Sequence, residues 1–183
     1  MANVVLVIDM LRGFLEPSHD GQEHKLYCGE GARAIIPNVR RLLEAERAQG
    51  AHIIFVADTH DPDDKEFEMF PPHCIKGTPE NEVIPELRDI PGDLLPKRRY
   101  SAFFDTDLET RLAELQPEKI IVCGVCTDIC VLHTTADARN RDYPVEVRAD
   151  CVASFDPDQH RWALQHMERI LGAKVVAGVE QPS

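Results

Sequence analysis

KIIVCGVCTDICVLHTTADARN, residues 119 to 140, joins an apolar, β-branched run to a segment of helical period. The run KIIVCGV lacks polar alternation, which is typical of a strand buried on both faces of a parallel sheet. Similar runs recur at 4–8, 52–57, 145–149 and 173–177, and segments of helical spacing lie between them. Alternating βα units of this kind predict a three-layer α/β/α domain with a parallel sheet between helices.

The length of the chain and the absence of a linker-like stretch predict one domain over residues 1–183 with a sizeable core. Two helical segments end at Gly50 and Gly172, which are typical C-terminal stops. The longest irregular stretch, 58–106, is rich in Pro, Asp and Glu. A loop of this length in a compact domain usually has a functional role.

Composition limits the partners and the compartment. The net charge of −12 argues against nucleic acid or an anionic membrane surface as a partner. Met1 leads into an apolar run without a basic region, and Asp9 interrupts that run, which argues against a signal peptide. No apolar stretch is long enough to span a bilayer. We therefore expect a cytoplasmic protein with reduced cysteines.

Three cysteines fall within eight positions, CGVCTDIC at 123–130. A metal cage is disfavoured because the second ligand pair of a structural zinc site would have to come from distant cysteines. A redox pair is disfavoured because Cys123 and Cys126 straddle a glycine at a strand end, not the start of a helix. Cys123 lies inside the apolar run, where a free cysteine is usually a small core residue.

Cys130 is the candidate nucleophile of this cluster. With Thr127 as N-cap, Cys130 takes the third position of the helix. Its sulfur then lies near free backbone N–H groups and the positive end of the helix dipole, which lowers a thiol pKa. A strand that turns sharply into a helix carrying a nucleophile recurs in hydrolases. The alternative is a buried cysteine that packs in the first turn.

An acidic residue and a group of three cations also lie at the ends of predicted strands. Asp9 ends the first run, where an acidic residue is costly unless it is paired or functional. Ligands bind beyond strand carboxyl ends at the topological switch point, so Asp9 and Cys130 could meet there. One of the cations Lys97, Arg98 and Arg99 could turn inward and stabilise a thiolate and an oxyanion. The alternatives are a capping carboxylate and a solvated basic patch.

The segment DTHDPDDKEFEMFPPHC, residues 58–74, carries a metal signal. Asp58 and His60 are two residues apart, so in extended chain they project to the same side. His73 follows two prolines that fix its direction. Two imidazoles with one or two carboxylates suit Zn, Fe or Mn and leave positions open for water or substrate. The alternative is a polar surface loop.

Together, Asp9, KRRYSAF, GVCTDICV and DTH…FPPHC resemble the isochorismatase-like cysteine hydrolases, specifically the nicotinamidases, over nearly the whole chain. The resemblance implies a six-stranded parallel sheet, with a short extra strand near 94–96. It implies Asp9 as general base, Lys97 as catalytic cation and Cys130 as nucleophile. It also implies an oxyanion hole of the Cys126 and Cys130 N–H groups, with a cis peptide at Val125–Cys126.

The resemblance further implies conversion of nicotinamide to nicotinate and ammonia through a thioester, in a homo-oligomer of two or four chains. One divalent ion per chain is implied, zinc foremost and iron or manganese as alternatives. Its ligands would be Asp58, His60, Glu66 and His73. The implied contacts to the substrate ring are Phe14, Phe70 and Phe104. Departures from the nicotinamidase pattern, MLRGFLEP after Asp9 and PENEV at 79–83, bear on substrate identity, so another amide or carbamoyl hydrolase is the alternative.

Overall fold

The computed structural model describes residues 1–178 and contains a parallel sheet of six strands. The strands are β1 (Val4–Ile8), β2 (His52–Asp58), β3 (Asp93–Lys97), β4 (Ile120–Val125), β5 (Val145–Ala153) and β6 (Lys174–Val176). Their order across the sheet is β3-β2-β1-β4-β5-β6, so the strand order reverses between β1 and β4. The predicted six-stranded α/β fold is confirmed, and this reversal is its switch point. The last five residues of the predicted domain, 179–183, lie outside the described part of the chain.

Helices cover both faces of the sheet. They are α1 (Arg12–Leu15), α2 (Glu30–Arg33), α3 (Ile36–Ala48), α4 (Leu108–Leu115), α5 (Leu132–Asn140) and α6 (Pro157–Arg169). Alternate residues of β1 face opposite sides: Val5 and Val7 pack with α3, whereas Leu6 and Ile8 pack with α4, α5 and α6. This burial on both faces explains why the strand sequence lacks polar alternation. None of the helices in residues 1–178 combines the length and apolarity that crossing a membrane requires.

Helix ends follow the predicted glycines. α3 and α6 stop two or three residues before Gly50 and Gly172, which adopt left-handed backbone with φ of 87° and 66°. Shorter pieces complete the fold: a hairpin of Ser18–His19 with Gln22–Glu23, and 3₁₀ turns at Lys65–Glu68 and Pro79–Asn81. The two 3₁₀ turns lie in the long loop after β2.

The turn between β4 and α5 differs from the prediction. Thr127 was expected to cap a helix, but Cys126 holds the cap position and Thr127–Val131 forms a π-helical turn ahead of α5. The Thr127 hydroxyl instead contacts His160 Nδ1 of α6 at 2.7 Å. The expected cap is therefore wrong, because a tertiary contact takes the hydroxyl away from the backbone. Wide turns of this type are frequent at functional sites.

Candidate active site

Three side chains from different strand ends come into contact at the switch point. Lys97 Nζ lies 3.0 Å from Asp9 Oδ2 and 3.5 Å from Cys130 Sγ. A carboxylate oxygen of Asp9 and the sulfur of Cys130 lie within 4.8 Å of each other. All three residues are buried. The structure thus brings together the three groups that the sequence suggested separately.

Local backbone geometry sets the direction of Asp9 and Lys97. Asp9 follows β1 in left-handed backbone with φ of 50°, and its Oδ1 accepts from the Asp58 N–H at 2.9 Å. Its other oxygen is left to face Lys97. Lys97 ends β3, in which Leu95 and Lys97 are buried and Pro96 between them is exposed. The edge-strand alternation therefore turns Lys97 inward and its neighbour Arg98 outward.

Burial and charge oppose each other at these groups. Burial raises the pKa of Asp9 to about 6, the Asp58 charge adds to this, and Lys97 opposes it. Burial also raises the pKa of the Cys130 thiol well above its usual range, although the Lys97 charge lowers it. The expected lowering of the thiol pKa is thus wrong for this arrangement, because desolvation and the charges of Asp9 and Asp58 outweigh the charge of Lys97. A thiol in this state needs an adjacent base, and Asp9 is hydrogen-bonded to it.

The turn that carries Cys130 also carries the residues expected to form an oxyanion hole. The Val125–Cys126 peptide bond is cis, as the family resemblance implied. Cys126 directly precedes the π-helical turn, and Cys130 lies within it. Both residues line one cavity. Backbone N–H groups at such a turn are suited to stabilise a negatively charged oxygen.

A second cluster adjoins the first through Asp58. Four buried residues each offer a ligand atom within 4.8 Å of the others: Asp58, His60, Glu66 and His73. Glu66 Oε2 lies 3.3 Å from Nε2 of both His60 and His73. Burial lowers the pKa of His73, but hydrogen bonds to Asp58 and Glu66 outweigh it and raise the pKa to about 10. Two imidazoles and two carboxylates that converge in this way form a metal-capable site.

The outer partners of the two histidines turn the inner nitrogens toward the other two members of the four-ligand set. His60 Nδ1 lies 2.9 Å from Asp64 Oδ2, and His73 Nδ1 lies 2.8 Å from the Pro71 carbonyl. Both partners accept hydrogen bonds, so each Nδ1 carries a proton. Each Nε2 faces the Asp58 and Glu66 carboxylates and would bind an ion on losing its own proton. The donor set therefore fits a divalent ion in chemistry as well as in placement.

One cavity, open to solvent, connects both clusters. Its polar lining includes Asp9, Cys130, Asp58 and His73. Its apolar and aromatic lining consists of Phe14, Leu26, Phe70, Tyr100, Val125, Ile129 and Phe155. A cavity that combines a thiol, a metal-capable set and aromatic side chains suits a small molecule with polar groups.

Comparison with known proteins places the chain in a family. The isochorismatase domain family matches residues 3–180. The chain belongs to the isochorismatase family. Among curated proteins, the "uncharacterized isochorismatase family protein PncA" of Bacillus subtilis is 38% identical, over 96% of this chain and 99% of that protein. The chain is thus a hydrolase of the isochorismatase family, similar to PncA-type proteins.

Solved structures of related proteins show the same fold. The pyrazinamidase/nicotinamidase of Streptococcus mutans superimposes with a TM-score of 0.88 at 35% identity, over 96% of this chain and 100% of that one. The N-carbamoylsarcosine amidase of Thermoplasma acidophilum gives 0.85 at 32% identity, with both chains fully covered. The pyrazinamidase of Pyrococcus horikoshii in complex with zinc gives 0.86 at 28% identity, over 97% and 99%. Proteins that share this fold are thus named for more than one amide.

The aromatic lining of this isochorismatase-family site differs from the expectation at one position. Phe14 and Phe70 line the cavity, but Phe104 does not. Phe104 is half exposed because its ring packs under the Arg98 guanidinium on the surface, 5.2 Å from the ring centroid. The structure thus places Phe104 outside the cavity, and the cavity lining includes Tyr100.

Sequence reasoning also missed other lining residues. Leu26, Ile129 and Phe155 line the cavity without having been singled out. Phe155 follows the end of β5, so its position after a strand next to β4 was a usable signal. Leu26 lies in the irregular stretch before α2, where no pattern in the sequence indicates a direction.

Proposed function

We propose that the protein is a cysteine amidohydrolase that converts nicotinamide to nicotinate and ammonia. One observation carries the proposal: Asp58 belongs to both clusters of the cavity. Its Oδ1 accepts a hydrogen bond from Lys97, and its Oδ2 lies 3.3 Å from His60 Nε2. The reacting thiol and the metal-capable set are therefore held in one fixed relation, as an amide on a nitrogen-containing ring requires. The similarity to the Streptococcus mutans enzyme supports the same reading.

The first half of the proposed reaction forms a thioester. Asp9 accepts the proton of the Cys130 thiol, and the sulfur attacks the carboxamide carbon. The N–H groups of Cys126 and Cys130 stabilise the negative charge that develops on the carbonyl oxygen. Asp9 then gives its proton to the nitrogen, the C–N bond breaks and ammonia leaves. Lys97 stays charged and stabilises the anionic sulfur during attack.

The second half releases the acid. Asp9 accepts a proton from a water molecule, whose oxygen attacks the thioester carbon. The C–S bond breaks, the sulfur takes the proton back from Asp9, and the acid leaves as nicotinate after its carboxyl proton passes to ammonia or water. The enzyme returns to its starting protonation state without a further reactant.

The four-ligand set has its own proposed role. A divalent ion held by Asp58, His60, Glu66 and His73, for which we propose zinc, would supply a Lewis acid that fixes the ring nitrogen. Phe14, Phe70 and Tyr100 would hold the ring between them. The zinc complex of the Pyrococcus horikoshii enzyme supports this choice of metal.

Ammonia release from an amide panel tests the proposal. We expect release from nicotinamide, loss of that release after chelation and recovery on addition of Zn²⁺. Benzamide, which lacks the ring nitrogen, is the matched control and is expected to react far more slowly. Release from N-carbamoylsarcosine with none from nicotinamide would favour the alternative, a carbamoyl hydrolase on the same fold.

The setting of the reaction is also a proposal. We propose that the protein works in the cytoplasm, in pyridine nucleotide salvage, as a homo-oligomer of two or four chains. Its six cysteines are unpaired and buried, which suits a reducing compartment. Cell fractionation tests the location, and light scattering on the purified protein tests the number of chains.

A further inference from the structure

The third cation of the KRR motif has a contact that the proposed reaction does not use. Arg99 Nη1 donates to Asp64 at 2.8 Å to Oδ1 and 3.1 Å to Oδ2. The Asp64 side chain is 6% exposed and lies outside the four-ligand set. A carboxylate removed from water to this extent needs compensation, and Arg99 supplies the opposite charge.

Asp64 holds two elements of the metal-capable site at once. Its Oδ2 lies 2.9 Å from Nδ1 of His60, the nitrogen on the far side of the ring from the ligand position. Its Oδ1 accepts from the backbone N–H of Glu66 at 2.8 Å and so caps the 3₁₀ turn Lys65–Glu68. One carboxylate thus sets the ring orientation of one ligand and the backbone position of another.

Arg99 also connects this carboxylate to the reacting groups. Its backbone carbonyl accepts a hydrogen bond from Lys97 Nζ at 2.9 Å, while its guanidinium holds Asp64. The residue that follows β3 by two positions therefore contacts the catalytic lysine with its main chain and the outer carboxylate with its side chain. A shift at Arg99 would move both groups together.

We propose that Asp64 is a positioning residue for the metal site, held in place by Arg99. The inference rests on the metal site of the proposed function. A carboxylate that accepts from the outer nitrogen of a histidine ligand fixes its tautomer and makes the inner nitrogen a better donor. Without Asp64, the His60 ring loses its outer partner and the turn that presents Glu66 loses its cap.

Zn²⁺ affinity of purified variants tests this inference without recourse to amide turnover. His60 Nδ1 and the Glu66 N–H are bound by different oxygens of Asp64, and in Asp64→Asn one of these oxygens becomes an NH₂ group that cannot accept. We expect its Zn²⁺ affinity, measured by competition with a chromophoric chelator, to fall about 10- to 100-fold. The neighbouring Asp63 is exposed. Asp63→Asn is the matched control, with the same change of charge and an expected affinity equal to that of the wild type.

Thermal unfolding shows whether Asp64→Asn folds. If it does not, Arg99→Met tests the inference instead. We expect a loss of Zn²⁺ affinity of about tenfold in Arg99→Met. Where Asp64→Asn folds, the double variant should bind no more weakly than Asp64→Asn alone. The visible spectrum of the Co²⁺-loaded protein gives a second readout, which should change in both variants and stay unchanged in Asp63→Asn. An ion pair that only stabilises the fold would not alter this spectrum.

Two results would overturn the inference, and they differ from each other. Wild-type affinity for Zn²⁺ in folded Asp64→Asn and Arg99→Met, with an unchanged Co²⁺ spectrum, would reject the positioning role and leave the metal site standing. Failure of the wild-type protein to bind either Zn²⁺ or Co²⁺ would reject the metal site itself, and this inference with it.

Discussion

Lys97 holds a positive charge where its side chain has no exposed surface. Burial lowers the pKa of its ammonium group, but the charges of Asp58 and Asp9 outweigh burial and raise it well above the usual range. The lysine therefore stays protonated, and its positive charge offsets the repulsion between the two buried carboxylates. Its structural and chemical roles cannot be separated, because the same charge faces Cys130.

Lys97→Met is expected to lower both stability and activity. Methionine matches the length of the lysine stem, so the change removes the charge and leaves Asp9 facing Asp58. Removing one partner of a buried ion pair typically costs about 3–5 kcal/mol of unfolding free energy. Urea unfolding of the variant and the wild type measures this loss. An unchanged urea midpoint would show that the ammonium does not hold the two carboxylates in place.

Cys130→Ala separates chemistry from folding. The change removes the nucleophile but leaves the ion pair of Lys97 intact, so we expect amide turnover to fall at least about a hundredfold while the fold survives. Cys126→Ala is the control, because its proposed contribution is a backbone N–H that alanine retains. Ammonia release and thermal unfolding give the two readouts. A redox or metal role for the cysteine cluster would instead require Cys123→Ala and Cys126→Ala to be as damaging as Cys130→Ala.

The three adjacent cations show that residue type alone does not indicate which side chain points into the site. Lys97, Arg98 and Arg99 are equivalent until the register of β3 is known, and the inward position of Lys97 came from the family resemblance. The structure adds the reason, since Leu95 and Lys97 share the buried face of the strand. Arg98 reaches outward to Asp105, and Arg99 turns to Asp64. The direction of Arg99 thus depends on a residue 35 positions away along the chain.

At the scale of elements, the contact between β4 and β1 depends on one glycine. Gly124 pairs with Ile8 across the two strands and has a φ of 114°. A Cβ at this position would lie 2.0 Å from the Ile8 carbonyl oxygen. The residues that follow these two strands are Asp9 and the turn with Cys130, so this close approach sets their separation.

Gly124→Ala is expected to destabilise the fold and lower turnover together. The added methyl group meets backbone, which cannot move aside as a flexible side chain could, and alanine is strained at this φ. We expect a loss of at least about 1–3 kcal/mol in unfolding free energy. Gly31→Ala is the control, because Gly31 lies in α2 with no atom near its added Cβ. A variant at Gly124 as stable as this control would contradict the close packing of β1 and β4.

Elements with a strong pattern were predicted well. Apolar runs marked β1, β2, β4 and β6 to within one residue, because burial on both faces leaves a continuous signal. β5 runs four residues further than its apolar segment, to Ala153. The π-helical turn after β4 carried no such pattern, since the contact of Thr127 with His160 competes with capping and joins residues far apart in sequence.

At the scale of the whole molecule, the sheet and the long loop after β2 are stabilised by different interactions. The sheet is held by two apolar cores, one on each face. The loop contributes three of the four metal-capable ligands, and its backbone pairs locally between His60, Cys74 and Lys76. Residue type and spacing predicted His60 and His73, and the family resemblance implied Glu66. Neither indicated the partners that orient these ligands, such as Asp64, because those contacts form only in the folded loop.

Metal removal is therefore expected to loosen the loop and leave the sheet intact. Without an ion, Asp58 and Glu66 remain buried beside each other with only imidazoles and Lys97 to balance them, so open forms of the loop gain population. A ligand present at 100 times its dissociation constant contributes about 2.7 kcal/mol to the state that binds it. Hydrogen exchange followed by mass spectrometry, with Zn²⁺ and after chelation, should show faster exchange across 60–76. The amides of β1 and β4 should keep their protection.

His73→Ala, which lacks one ligand, should exchange rapidly over 60–76 in both conditions. Equal protection of the loop with and without Zn²⁺ in the wild type would mean that the protein alone, and not the ion, holds the four ligands together.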